Sequence, residues 1–230
     1  MESDAATSLW SVGEAERYEA ETYGRGLSGW ALRRSHALLE RPFDQADRFS
    51  TVLEVGAGQG THLPYVRHDY DAYVLTDAHD AMLVGSAANV ALARHPDRVR
   101  VERQDASALC VPDASADRLI ASHVLEHLTR PERVLDGWAR VVRPGGTISV
   151  LLPCDPGLAW RAGRAFGPRR AARARGLAYD YVMALEHVNP TGNLVAILRH
   201  RFGRLEERWW PLGTPSVDAN LFYAAHAVVT

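Results

Sequence analysis

The chain has no lysine: all 26 of its basic residues are arginine, set against 28 acidic ones for a net charge of -2. A general nucleic-acid coat needs a large positive excess, so this balance excludes one. Cysteine is nearly missing, with only Cys110 and Cys154 and no CxxC spacing. That excludes a disulfide framework and fits a reducing, cytoplasmic setting. No uncharged apolar run approaches the roughly 20 residues that span a bilayer. Residues 1–11 are polar and acidic, with no basic flank before an apolar core, and do not read as a secretory signal. The expectation is a cytoplasmic protein with no membrane partner. Internal repeats and low-complexity linkers are also missing.

What is present is an ordinary core composition, 47% hydrophobic and 23% charged over 230 residues, enough for one domain. The wealth of alanine, glycine and arginine reads as a GC-rich genome rather than a functional device. Residues 14–23 and 27–39 have helical composition, with Pro42 closing the second segment. From residue 51, short apolar runs (51–55, 72–76, 99–103, 118–121, 147–152) alternate with helical segments expected near 60–67, 80–94 and 131–142. That rhythm predicts βαβ units and a doubly wound α/β fold around a mostly parallel sheet. The tail breaks the rhythm. Residues 156–185 are helical and read as a lid inserted over the strand ends, 190–202 as a further helix, and 205–210 and 221–229 as a hairpin across Gly213-Thr214-Pro215. Such a hairpin is expected to put one antiparallel strand at the sheet edge. Residues 1–230 thus read as one domain: N-terminal helices (1–45), a ligand-binding core (51–153), the lid (156–189), and a final helix with two strands (190–230).

The most specific signal is Val52-Leu53-Glu54-Val55-Gly56-Ala57-Gly58-Gln59-Gly60, an apolar strand running into three alternating glycines. Glycine permits a sharp turn and lets a ligand approach the backbone without meeting a Cβ. A helix expected after the loop would offer free N–H groups and a positive dipole end. Asp77, 19 residues beyond Gly58 at the end of the next strand, is placed to accept both ribose hydroxyls of a nucleoside. The dinucleotide fingerprint is G-x-G-x-x-G; the shorter G-x-G-x-G here favours a nucleoside ligand without a pyrophosphate and counts against a NAD-dependent oxidoreductase.

Several separate motifs resemble the class I S-adenosylmethionine-dependent methyltransferases, of the type acting on small molecules. The resemblance covers about 100 residues and leaves the lid unmatched. Leu53 to Gly60 resembles the family's cofactor loop, which implies Glu54, Gly56, Ala57, Gly58 and Gly60 as cofactor residues. Thr76-Asp77-Ala78-His79-Asp80-Ala81-Met82 resembles the second-strand segment, where Asp77 holds the ribose beside Ala78 and Met82 packs on adenine. Gln104-Asp105-Ala106 resembles the third-strand end, with Asp105 and Ala106 at the adenine amino group. Ser122-His123 begins a segment that resembles the one beneath the methionine moiety, and Arg143-Pro144-Gly145-Gly146 the turn entering the fifth strand. Glu16-Arg17-Tyr18 resembles the N-terminal helix whose tyrosine, here Tyr18, closes over the cofactor. The resemblance implies a seven-stranded sheet with the last strand antiparallel near the edge, S-adenosylmethionine as cofactor, and a small-molecule methyl acceptor.

Rival readings exist. His123-Val124-Leu125-Glu126-His127 matches H-x-x-E-H, an inverted zinc-peptidase motif, with a third ligand to come from Glu186 or His187. The segment directly follows a strand and Pro131 shortens any helix, so no metal is expected, and Glu126 and His127 read as structural or solvated. Cys154 follows Pro153 at a strand end, like a base-methylating nucleophile, but stands after the wrong strand for the DNA enzymes and reads as packing. With no amino-methylating base-enzyme segment either, nucleic acid is not the expected substrate. Six arginines between Arg161 and Arg175 read as a solvated face, or as an anion-seeking lid. A noncatalytic cofactor-binding protein would keep the same glycines and Asp77. For transfer to a hydroxyl or amine, His187 is the candidate base, with Glu186 as its orienting partner and Asp155 as a second candidate. The expected acceptor is an oxygen or nitrogen of a small metabolite or secondary-metabolism intermediate.

Overall fold

A computed structural model describes residues 26–230 apart from Arg175 and Leu177; the helix expected at 14–23, with Tyr18, lies outside the described residues. Seven strands form one sheet: β1 (Arg48–Val55), β2 (Asp69–Asp77), β3 (Val99–Arg103), β4 (Ala116–Ser122), β5 (Val142–Pro153), β6 (Leu205–Trp210) and β7 (Phe222–Val228). Their order is β3-β2-β1-β4-β5-β7-β6. Strands β1 to β5 pair in parallel, and β7 runs antiparallel to both β5 and β6. The hairpin expectation needs one correction: β7 slots between β5 and β6, so the antiparallel strand lies one place in from the edge. Its burial explains this, since Phe222 to Ala227 are all buried whereas β6 buries only Trp209.

Helices cover both faces. On one side α4 (Pro131–Val141) and α8 (Thr191–Arg201) pack against the sheet. Helix α4 has Pro131 in its first turn and buries Val134, Leu135, Trp138 and Val141 along one stripe. Trp138 is fully buried and its indole N–H donates to the Ala106 carbonyl at 2.8 Å, which satisfies the one polar atom that burial would otherwise strand. The opposite face is covered by α1 (Leu27–Leu39) and the short α2 (Asp80–Val84) and α3 (Ala87–Ala91).

Two helical expectations are corrected. Residues 60–67 hold only a single 3-10 turn at Leu63–Tyr65, because Gly56, Gly58 and Gly60 all take left-handed φ and Pro64 follows. No helix dipole therefore faces the loop. The helix expected at 80–94 is two pieces, α2 and α3, broken where Gly85 packs on Gln59: a Cβ there would lie 2.5 Å from that side chain. The stretch 156–185 folds as α5 (Leu158–Phe166), α6 (Pro168–Ala174) and α7 (Tyr179–Glu186). The β6–β7 loop seats the start of α5: Asp218 accepts from the backbone N–H groups of Leu158 and Ala159. Gly157 is pressed so closely on Val217 that a Cβ would sit 2.1 Å from its carbonyl oxygen.

Candidate functional site

The ends of β1, β2, β4 and β5 meet where the strand order reverses, the crevice in which open α/β sheets bind ligands. At the end of β1, Gly56 and Gly60 are demanded by both backbone and packing. Their φ values are +58° and +75°, and added Cβ atoms would lie 2.6 Å from Val124 and Leu75 respectively. Gly58 is different: φ is +55°, yet a Cβ would meet nothing within 4 Å. Ala57 anchors the loop to β2 by donating to the Thr76 carbonyl at 2.8 Å. The Asp77 carboxylate accepts from the Gly58 N–H at 3.0 Å and the His79 N–H at 2.9 Å, so the loop and the acid fix each other. Arg103 donates to the Ala78 carbonyl and Met82 is half-buried on α2. Asp105 is exposed just past β3 and accepts from the Ser107 N–H and hydroxyl; Ala106 is buried under Trp138.

Past β4, the Ser122 hydroxyl is buried without a partner among the described residues. His123 has φ +59°. Its Nε2 lies 3.3 Å from Ser35 Oγ on α1, and its ring meets Phe222 edge-on. Residues 123–128 form a turn rather than a helix, so His123 and His127 do not share a helical face and cannot chelate as H-x-x-E-H requires. Glu54 departs from the expected set of loop residues. Strand alternation turns it inward beside Val52, where Tyr73 donates to it at 2.6 Å, and burial raises the pKa of both groups.

Sequence reasoning missed a buried chain of polar groups behind His123. His36 on α1 contacts His62 at 3.0 Å, and His62 contacts Glu40 at 2.9 Å. Glu40 takes a bidentate pair of bonds from Arg118, whose Nε donates to Ser149, itself 3.0 Å from His226. Burial works against the Glu40 carboxylate, but Arg118 and His62 hold its pKa far below the usual range. Residues scattered from 36 to 226 carry no local spacing signal; an arginine inside an apolar central strand was the only hint.

At the end of β5, Cys154 is fully buried, and burial pushes its thiol up to about 12. A thiolate nucleophile there is excluded. Asp155 accepts from Arg164 at 3.0 Å and from His187 Nδ1 at 2.8 Å. Burial pulls its pKa up, but these two partners outweigh it and leave the carboxyl below its ordinary value. The expected partnership thus changes: Asp155, not Glu186, orients His187. Glu186 serves His127 instead, its backbone carbonyl accepting from Nδ1 at 2.9 Å with its carboxylate 3.6 Å away. Asn189 clamps this segment onto the turn after β4 by donating to the carbonyls of Leu125, Glu126 and Leu128. Three arginines of the 156–185 stretch are paired, Arg164 with Asp155 and Arg169 and Arg173 with Asp180. A cleft of about 530 Å³ beside Arg161 and Arg164 therefore carries both signs of charge.

Comparison with known proteins matches residues 53–150 to a family model described as a methyltransferase domain. A phosphatidylethanolamine N-methyltransferase from Cereibacter sphaeroides is 29% identical over 104 residues, 45% of this chain and 51% of that protein. The 27-O-demethylrifamycin SV methyltransferase of Amycolatopsis mediterranei is 33% identical over 131 residues, 51% of this chain and 44% of that protein. The chain spans about half the length of these curated relatives. Among solved structures, a SAM-dependent methyltransferase from Aquifex aeolicus shares the fold with a TM-score of 0.58 at 15% identity, over 96% of this chain and 100% of that one.

Proposed function

We propose that this chain, whose residues 53–150 match a methyltransferase-domain model, is a class I S-adenosylmethionine-dependent methyltransferase that moves a methyl group to an oxygen or nitrogen of a small metabolite or natural-product intermediate. The cofactor brings a methyl group already activated on a sulfonium. The residues at the strand ends fit it. The backbone at Gly58 is open to a ligand, Asp77 presents a carboxylate held by two N–H groups, and Ser122 offers a buried hydroxyl with no other partner among the described residues. In this reading Asp77 accepts the ribose hydroxyls, Ala78 and Met82 border the adenine with Asp105 and Ala106, and Ser122 and His123 lie under the methionine end. Gly56, Ala57 and Gly60 shape the loop, and Glu54 braces it from inside the core.

The observation that carries the acceptor side is the Asp155–His187 pair at the mouth of β5. A carboxylate only accepts, so Nδ1 of His187 carries its proton and Nε2 is left as the basic atom. An acceptor hydroxyl or ammonium at Nε2 gives up its proton there as its oxygen or nitrogen takes the methyl. One relative is named for N-methylation and the other for a demethylated oxygen, which keeps both acceptor atoms in this proposal. The protein acts in the cytosol on a small molecule, not on nucleic acid, as two free cysteines and the net charge of -2 support. No described helix is long and apolar enough to cross a membrane.

The test is methyl transfer from labelled cofactor to a panel of small phenols, alcohols, acids and amines, with His187→Ala alongside. With the protein assayed metal-free, turnover of an acceptor that falls at least tenfold in the variant supports the base. Turnover within about threefold of the parent, a change of ~0.7 kcal/mol, removes His187 from that role. Cofactor binding without turnover of any acceptor favours the noncatalytic reading.

A further inference from the structure

His187 Nε2 does not stand alone. The turn after β4 brings Glu126 and His127 up to it, and one donor atom from each of the three residues lies within 4.8 Å of the others. The two rings meet edge to face, with centroids 5.0 Å apart, and each is pinned through Nδ1. His127 donates Nδ1–H to the Glu186 carbonyl at 2.9 Å, and His187 donates Nδ1–H to Asp155 at 2.8 Å. Each ring therefore keeps its Nε2 lone pair free, and that of His127 lies 3.9 Å from Glu126 Oε1. Metal-binding histidines are held in this way, the far nitrogen pinned by a carboxylate or a backbone carbonyl.

Glu126 supplies an independent observation. It is 1% exposed, and its Oε2 is buried without a hydrogen-bond partner among the described residues. Its ion-pair neighbours are two histidines, His123 at 3.7 Å and His127 at 3.9 Å, and no described arginine pairs with it. A buried carboxylate lacking a permanent cation is costly, and a cation between the three side chains would answer it. We propose that Glu126, His127 and His187 bind one divalent metal ion on the acceptor side of the site. Two imidazoles and one carboxylate suit zinc, cobalt or iron rather than magnesium or calcium, which prefer all-oxygen shells. Bonds of about 2.1 Å place such ligand atoms roughly 3.4 Å apart, so small rotations of the rings close the site. Of the three ligands His187 lines a cleft of about 260 Å³, with Asp155, Met183 and Pro190.

Only the site's place beside the acceptor rests on the methyltransferase reading. With metal bound, His187 is a ligand instead of a base, and Asp155 is a positioning residue for that ligand.

Metal-stripped, tag-free protein is titrated with Co²⁺ by visible absorption and with Zn²⁺ by calorimetry, and with S-adenosylhomocysteine separately. The expected result is one Co²⁺ per chain with visible d–d bands, displaced by Zn²⁺. Glu126→Gln, His127→Ala and His187→Ala each weaken it at least tenfold, and Asp155→Asn weakens it 10–100-fold. His200→Ala, an exposed histidine outside the cluster, leaves it intact. Circular dichroism establishes that each variant is folded, and Glu126→Gln, of matching shape, serves if an alanine variant is not. No saturable binding below about 100 µM, or binding unchanged by the ligand variants, overturns the metal site. Failure to bind S-adenosylhomocysteine instead overturns the methyltransferase reading, whatever the metal does.

Discussion

Gly56 and Gly58 share a left-handed backbone, with φ +58° and +55°, yet only Gly56 faces a neighbour, the Val124 side chain at 2.6 Å from an added Cβ. Alanine at Gly58 is expected to cost about 1–2 kcal/mol of stability from backbone strain alone. It also puts a methyl group where the ligand backbone contact is proposed. Alanine at Gly56 adds overpacking of about 1–3 kcal/mol to the same strain. Thermal melts should thus rank Gly56→Ala below Gly58→Ala, while Gly58→Ala shows the larger loss of S-adenosylhomocysteine affinity for its stability change. The reverse order would mean that Gly58 is a packing residue and not the open floor of the loop. These glycines were legible as a motif because turn chemistry is local. The difference between them was not, because it depends on Val124, a residue 68 positions further along.

The sheet was readable element by element, since period and composition mark strands wherever they are covered on both faces. The place of the last strand, inside the edge, was legible only through the family resemblance and not in the hairpin pattern, because burial of β7 on both sides is a tertiary outcome. Helices failed where glycine and packing interrupt them, at 60–67 and 85–86. The acceptor side followed the same division: His187 and Asp155 were visible as chemically apt residues at element ends, whereas their pairing across 32 positions was not. The buried chain behind His123 ties α1 to β4 and β5 and makes a prediction at this scale. Glu40→Gln leaves the guanidinium of Arg118, itself 0% exposed, without its carboxylate. About 3–5 kcal/mol should be lost, a fall in Tm of roughly 6–20 °C for a domain of this size. Asp136→Asn, which breaks the exposed pair with Arg201, should change stability by less than about 1 kcal/mol. Equal effects in the two melts would show that the buried chain is not a tie between the layers.

Across the whole molecule, two buried histidines that both meet Phe43 edge-on join the buried His36 in setting the acid response. Burial lowers His68 to about 4 and His226 to about 3. In the unfolded chain both take up protons near pH 6.5, while in the folded chain they stay neutral until much lower pH. The unfolded state therefore binds more protons between about pH 6.5 and 4, and stability falls as pH falls through that window. At pH 5 each histidine should contribute a loss on the order of 2 kcal/mol. Glu40, with its lowered pKa, contributes stability that is lost only at pH values below the ordinary carboxylate range, beneath the histidine window. Melts between pH 7 and pH 5 should show this decline, and His226→Gln should remove roughly a third of it, because His36 is lowered well below its usual value too. A Tm that stays flat over that range would mean the histidines are charged inside the fold.

The central claim, a nucleoside site built by Gly58 and Asp77 at the switch point of the sheet, is tested most directly by calorimetric titration with S-adenosylhomocysteine, with NADH as control and Asp77→Ala as the second protein. The account predicts micromolar binding to the parent chain, no response to NADH, and loss of at least tenfold in affinity in the variant. Absence of adenosyl binding to the parent, or equal binding by Asp77→Ala, would contradict it.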